Sequence, residues 1–309
     1  MFAAFLAAFF FALNATCATH SVRASGALRA NLGRLVVAAV VLGLFAHTLG
    51  RGFASASVPW FFLSGVIGMG LGDLGVYGAL PLLGSRLTVL MTQCLAAPIA
   101  ALGEWWWLGT RLTVTQMFWG LLILASVAIA LTPSKRHPPR VKIRPLGFLF
   151  GLLAAAGQGL GALVSRKGVT VADAAGEAAH AASFGLTAAY YRILAGLAFV
   201  ALWFVVLRLL HRLPAAPAPQ ARSNLLGYTF PAARLWILIN GFVGPVLGVG
   251  CYQWALATAP SGLVLPIAAT APLLAIPIAY FFEGDRPPRR AIFGGVLAVA
   301  GCIALTAAR

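Results

Sequence analysis

Pro98-Ile99-Ala100-Ala101-Leu102-Gly103-Glu104 closes a long apolar run, and late in the chain Pro277-Ile278-Ala279-Tyr280-Phe281-Phe282-Glu283 closes another. After each copy come a short turn and a further apolar stretch, ending in Ile129-Ala130-Leu131-Thr132 in one case and Ile303-Ala304-Leu305-Thr306 in the other. Upstream, Arg34-Leu35 matches Arg192-Ile193 at the start of an apolar run, and Asn14 with Arg23 matches Gln158 with Lys167. Anchors in the same order identify two copies of one unit. The reading is a five-helix repeat over 1–132, a basic linker over 133–145 and a second five-helix repeat over 146–309. Five is odd, so the second copy enters the membrane from the opposite face, and the two repeats are inverted about an axis in the membrane plane.

The composition agrees. Of 309 residues 61% are hydrophobic and 9% charged, with a mean hydropathy of +0.93, whereas soluble domains carry about 25% charged residues. A bilayer core needs roughly 20 apolar residues per helix. Ten such spans are predicted, near 1–20, 31–49, 58–80, 85–103, 113–132, 146–165, 188–210, 233–257, 261–282 and 290–307. The fold class is an all-α membrane protein with ten transmembrane helices. The net charge of +16 falls mostly in loops and at span ends, which suits lipid headgroups rather than nucleic acid. Residues 1–20 loosely resemble a signal peptide, but they lack a basic start and have a counterpart within the chain, so they count as the first span.

Gly72-Asp73-Leu74-Gly75-Val76-Tyr77-Gly78-Ala79-Leu80, Gly84-Ser85-Arg86, and the Pro98–Glu104 segment running into Leu108-Gly109-Thr110-Arg111-Leu112-Thr113 resemble the EamA family of the drug/metabolite transporter superfamily. The likeness covers nearly the whole chain. Thr110 stands where the family usually has Glu, and Asn14-Ala15 where it often has Trp-Gly. The resemblance implies ten helices around a central cavity lined by spans 1, 3, 4, 6, 8 and 9, both termini in the cytoplasm, and transport as the function.

Asp73 is the one acid well inside a predicted span, where an ionised carboxylate costs roughly 2.5 to 3.5 kcal/mol on insertion scales. Two roles offset that cost: a proton-coupling or cation-binding group facing the cavity, or a structural ion pair, with Arg86 as the nearest partner in sequence. Asn14, Gln93, Gln158 and Thr270 lie near mid-span among apolar neighbours, and the equivalent positions of Asn14 and Gln158 put two amides on opposite walls of one site. Tyr77 and Tyr252, with Gln253 and Trp254, are further substrate contacts, with an interfacial aromatic belt as the alternative. The expected substrate-binding set is Asn14, Asp73, Tyr77, Gln93, Gln158, Tyr252 and Thr270, with Asp73 also the proton-coupling residue. Glu104 and Glu283 are expected at solvated helix ends. Pro98, Pro245, Pro266, Pro272 and Pro277 bend spans 4, 8 and 9.

Neither H-E-x-x-H, G-x-S-x-G nor a P-loop occurs. The histidines and the four cysteines have no ligand spacing, so no metal or other cofactor is expected and the chain is not read as an enzyme. The function expected is a secondary active transporter in the inner cell membrane, exporting small amino-acid-like metabolites or amphipathic drugs by alternating access with protons as coupling ion, as a monomer or homodimer. The alternative is an intramembrane enzyme or membrane scaffold. On orientation two arguments oppose each other. The face bearing the N-terminus carries Arg51, Arg111, Arg166, Lys167, Arg192 and Arg309, six of the 22 basic residues. The positive-inside rule then puts both termini outside, the reverse of what the resemblance implies.

Overall fold

The computed structural model describes residues 1–132, 143–210, 232–283 and 289–307. Most of the basic linker, 133–142, lies outside that set. Among the described residues, ten helices, some interrupted, are long and apolar enough to cross a bilayer. In hydrocarbon each backbone amide must bond within its own segment, so apolar runs of this length become helices. Spans 1 and 2 are α1 (Phe2–Ser25) and α2 (Ala27–Thr48). Span 3 is α3 (Val58–Gly65) and α4 (Gly72–Leu83), joined by a π-helical stretch, Val66–Leu71. Spans 4 and 5 are α5 (Ser85–Leu108) and α6 (Val114–Leu131).

Spans 6 and 7 are α7 (Leu146–Ala174) and α8 (Ala182–Leu209). Span 8 is α9 (Ala232–Gly241), a second π-helical stretch, Phe242–Val249, and α10 (Gly250–Thr258). Span 9 breaks into α11 (Ser261–Ala268) and α12 (Ala271–Glu283), and span 10 is α13 (Arg289–Ala307). Two one-residue turns use glycine at positive φ: Gly26 between α1 and α2 (81°) and Gly84 between α4 and α5 (78°). A side chain disfavours that conformation.

α7 and α8 are longer than predicted. The span expected to begin at 188 begins at Ala182, because the weakly apolar first turn is held by packing: a Cβ on Gly185 would fall 2.6 Å from the Trp254 Cβ. Arg192 is therefore not at a helix start but in the eleventh position of α8, inside the protein.

The interruptions have local causes. Pro245 sits in the second π-helical stretch and offers no amide hydrogen, so the regular ladder cannot continue. Span 9 breaks at Ala269 and Thr270, between Pro266 and Pro272, and Thr270 donates its hydroxyl to the Ile267 carbonyl at 2.7 Å. The first π-helical stretch has no proline. It is fixed instead by close packing: a Cβ on Gly157 of α7 would lie 2.5 Å from the Gly72 Cα, and one on Gly75 2.5 Å from the Ala154 backbone nitrogen. Small residues let α4 and α7 approach this closely without a water-driven hydrophobic term.

Two large cores result. One joins Ala3, Ala4 and Ala7 of α1 with Ala96, Ala97 and Ala100 of α5, Leu256 of α10 and the whole of α11. The other joins Leu35, Ala38 and Leu42 of α2 with Phe61 of α3 and Tyr191 and Ile193 of α8. Trp105, Trp106 and Trp107 face outward at the end of α5, as a membrane-interface belt would.

Candidate functional site

Asp73 follows the first π-helical stretch directly, as the second residue of α4. Its Oδ2 lies 3.8 Å from Nη2 of Arg34 on α2, with side-chain exposures of 28% and 21%. Arg34 is aimed by its own helix, its Nε donating to Asn31 Oδ1 at 2.8 Å. The structure thus pairs Asp73 with Arg34; the Arg86 side chain lies outside the described residues. The pair is loose, since Asp73 Oδ2 is buried and makes no hydrogen bond.

Arg192 is also in the electrostatic field of Asp73. It is 5% exposed, and its Nη2 lies against glycine backbone, where a Cβ on Gly68 would come within 2.4 Å and one on Gly161 within 3.2 Å. Nη1 reaches Ser165 Oγ at 3.5 Å, a long contact, and Nε has no partner. The guanidinium lies 5.8 Å from the centre of the Tyr252 ring, in the range of a cation–π contact. The Tyr252 hydroxyl is buried without a hydrogen bond, as are both amide atoms of its neighbour Gln253. Phe11 of α1 completes this wall, its ring 6.2 Å from that of Tyr252.

The mid-span amides divide. Gln158 of α7 donates to Gln93 Oε1 of α5 at 3.1 Å, and its backbone nitrogen lies 3.6 Å from where a Cβ on Gly72 would stand, beside Asp73. The amide bonded to Gln158 is therefore Gln93. Asn14 packs on the second π-helical stretch, where a Cβ on Gly244 would meet its Oδ1 at 2.4 Å, and that oxygen is buried and unpaired. Thr270 is buried and satisfied by its own helix break. The side chain of Tyr77 lies outside the described residues. One run of contacts thus joins Gln93 to Gln158 beside Gly72 and Asp73, and another joins Arg192 to Tyr252 and Phe11 of α1, the two linked through the field between Asp73 and Arg192. Sequence reading missed Arg192 and Arg34 as site residues because both stood as anchors at span starts. Their register match across the repeats was the available signal.

The face bearing the N-terminus holds further charges. Glu104, expected at a solvated helix end, is 1% exposed. Its carboxylate accepts from Arg166 Nε at 3.0 Å, from the Ser261 amide at 2.7 Å and from the Ser261 hydroxyl. Arg166 Nη1 donates to the Leu256 carbonyl at 2.6 Å. The carboxylate is buried because the α10–α11 turn brings Ser261 onto it, a contact that no local pattern announces. The corresponding Glu283 side chain lies outside the described residues. Nearby, Glu177 accepts from the Ser55 hydroxyl at 2.7 Å and the Ala56 amide at 2.9 Å. The Tyr191 hydroxyl donates to the Gly52 carbonyl, so the loop between α2 and α3 pins the helix turn that carries Arg192. A cleft of about 160 Å³ opens here, lined by Arg51, Ser55, Glu177, Thr187 and Tyr191.

Comparison with known proteins agrees with this architecture. A solved structure described only as "Crystal structure of protein" is 17% identical, with a TM-score of 0.70 over 99% of this chain and 96% of that one, a likeness that carries the fold alone. No curated protein matches. The model of the EamA-like transporter family matches twice, over residues 1–132 and 145–307. The chain belongs to the EamA-like transporter family.

Proposed function

We propose that this chain is a secondary active transporter of the inner cell membrane, exporting small amino-acid-like metabolites or amphipathic drugs by alternating access. Protons are the coupling ion and Asp73 carries them. Asn14, Asp73, Tyr77, Gln93, Gln158, Tyr252 and Thr270 bind the substrate. The protein works without a cofactor, as a monomer or homodimer.

The observation that carries this reading is the state of Asp73: a carboxylate inside a span, at the end of a helix interruption, with one oxygen buried and unbonded and its counter-ion 3.8 Å away. A purely structural ion pair in a membrane gains most by closing to hydrogen-bond distance. One held open can exchange a proton. Interrupted helices at mid-depth are the usual setting of coupling and substrate sites in inverted-repeat transporters. The inverted arrangement is supported by the two family matches and by π-helical stretches in the third span of each half.

A counterflow screen in proteoliposomes over amino acids, nucleosides, sugars and organic cations tests the reading. Saturable, competable counterflow is expected. Its absence across the panel would favour a membrane enzyme or scaffold.

A further inference from the structure

We infer that Arg192 is the anion-binding pole of the substrate site, and that the molecule carried bears a carboxylate which that guanidinium takes up. The inference rests on reading the Asp73 region as the substrate site, and it specifies the chemistry of what binds there.

Charge balance comes first. Asp73 has Arg34 as its ion-pair partner, and among the described residues no carboxylate lies within 4.0 Å of Arg192. Asp73, Arg34 and Arg192 together therefore leave one positive charge uncompensated inside the protein. A buried unpaired charge is costly, and proteins normally pair or hydrogen-bond it. Here the neighbours do neither fully. Ser165 is at the 3.5 Å limit, Tyr252 offers its ring face and a hydroxyl that interacts without a well-formed hydrogen bond, and Nε has no acceptor.

The surroundings fix the guanidinium and leave polar groups beside it unpaired. Gly68 and Gly161 make the room that Nη2 itself occupies, since a methyl group on either would crowd it. The Tyr252 hydroxyl, buried without a well-formed hydrogen bond, interacts with the guanidinium. The guanidinium only donates and the hydroxyl can donate as well, so a carboxylate can accept from both. Arginine presents a planar fork that matches a carboxylate with two parallel hydrogen bonds. A carboxylate brings the single negative charge that balances the site, whereas phosphate at neutral pH brings between one and two. A structural arginine alone would be expected to find carbonyl partners for its Nε.

The test is ligand-induced stabilisation of the purified full-length protein in detergent. The panel sets amino acids and simple monocarboxylates against the amides of the same skeletons, with inorganic phosphate as a separate arm. The expected result is that at least one acid stabilises the protein and its amide binds tenfold or more weakly. Arg192→Gln should abolish this preference, and Arg192→Lys should retain part of it. If Arg192→Gln does not fold, the comparison of acid with amide on the unaltered protein and on Tyr252→Phe decides. Equal binding of acid and amide, a preference that survives in Arg192→Gln, binding of phosphate but no carboxylate, or no acid bound at all would each overturn the inference. Acid binding without counterflow would instead uphold the inference and contradict the transporter reading. Counterflow of carboxylate-free solutes that Arg192→Gln leaves intact would do the opposite.

Discussion

Glu104 and Arg166 form a buried ion pair at 3.0 Å, and each also holds the α10–α11 turn, Glu104 through Ser261 and Arg166 through the Leu256 carbonyl. The pair therefore ties α5 and α7 to spans 8 and 9 on the face where the N-terminus lies. Removing one partner strands the other, a loss of about 3 to 5 kcal/mol for buried pairs. Arg166→Met should lower the melting temperature in detergent strongly, and Glu104→Gln less, since the amide keeps an oxygen for Ser261. A double variant much less destabilised than the sum of the singles would establish the coupling. Additive losses would contradict it.

The approach of α4 and α7 is a second point of sensitivity. A Cβ on Gly157 would stand 2.5 Å from the Gly72 Cα, whereas one on Gly295 meets nothing within 4 Å. Gly157→Ala should therefore destabilise the protein by about 1 to 3 kcal/mol and displace Asp73 from its partners. Gly295→Ala should be neutral within error. Thermal unfolding of both variants, scored beside transport, checks this.

Substrate contacts are expected to be modest individually. Asn14→Ala or Gln158→Ala removes one hydrogen bond worth about 0.5 to 1.5 kcal/mol, a two- to tenfold weakening. Gln158→Ala also frees Gln93, so its effect should be the larger in a competition assay. Unchanged affinity in both would remove these amides from the site.

Orientation follows from the recount of charges that the structure requires. Arg166 and Arg192 lie inside the protein, so the N-terminal face keeps Arg51, Arg111, Lys167 and Arg309 as its basic residues. Arg34, on the opposite side, is likewise drawn to Asp73 within the spans, so the bias toward that face persists, and the positive-inside rule predicts the termini outside. A phosphatase reporter fused after Arg309 should be active in the periplasm. Activity of a cytoplasm-dependent reporter at the same position would restore the orientation that the family resemblance implies.

The ten spans were legible because hydropathy over about 20 residues is set by the bilayer itself, and the prolines marked the breaks of spans 8 and 9. What escaped depends on long-range contacts. The π-helical stretch Val66–Leu71 contains no proline and owes its place to glycines meeting α7. Glu104 reads as a helix end until Ser261, 157 residues away in sequence, is placed on it. Arg192 follows two tyrosines, a sequence that suits an interface, but Tyr191 is anchored on Gly52 and packed against Phe61, and the segment lies inside. Asp73, Gln93 and Gln158 were legible as polar residues among apolar ones, but their partners were not.

Exchange of the coupling proton at Asp73 is the step on which the proposed transport depends. Asp73→Asn keeps the size and much of the hydrogen bonding while removing the titrating group. In proteoliposomes, substrate counterflow and net transport driven by a pH gradient should be measured side by side for the unaltered protein and the variant. The variant should retain counterflow and lose the pH-driven component. Normal net transport by Asp73→Asn under the same gradient would contradict it and leave Asp73 a structural partner of Arg34.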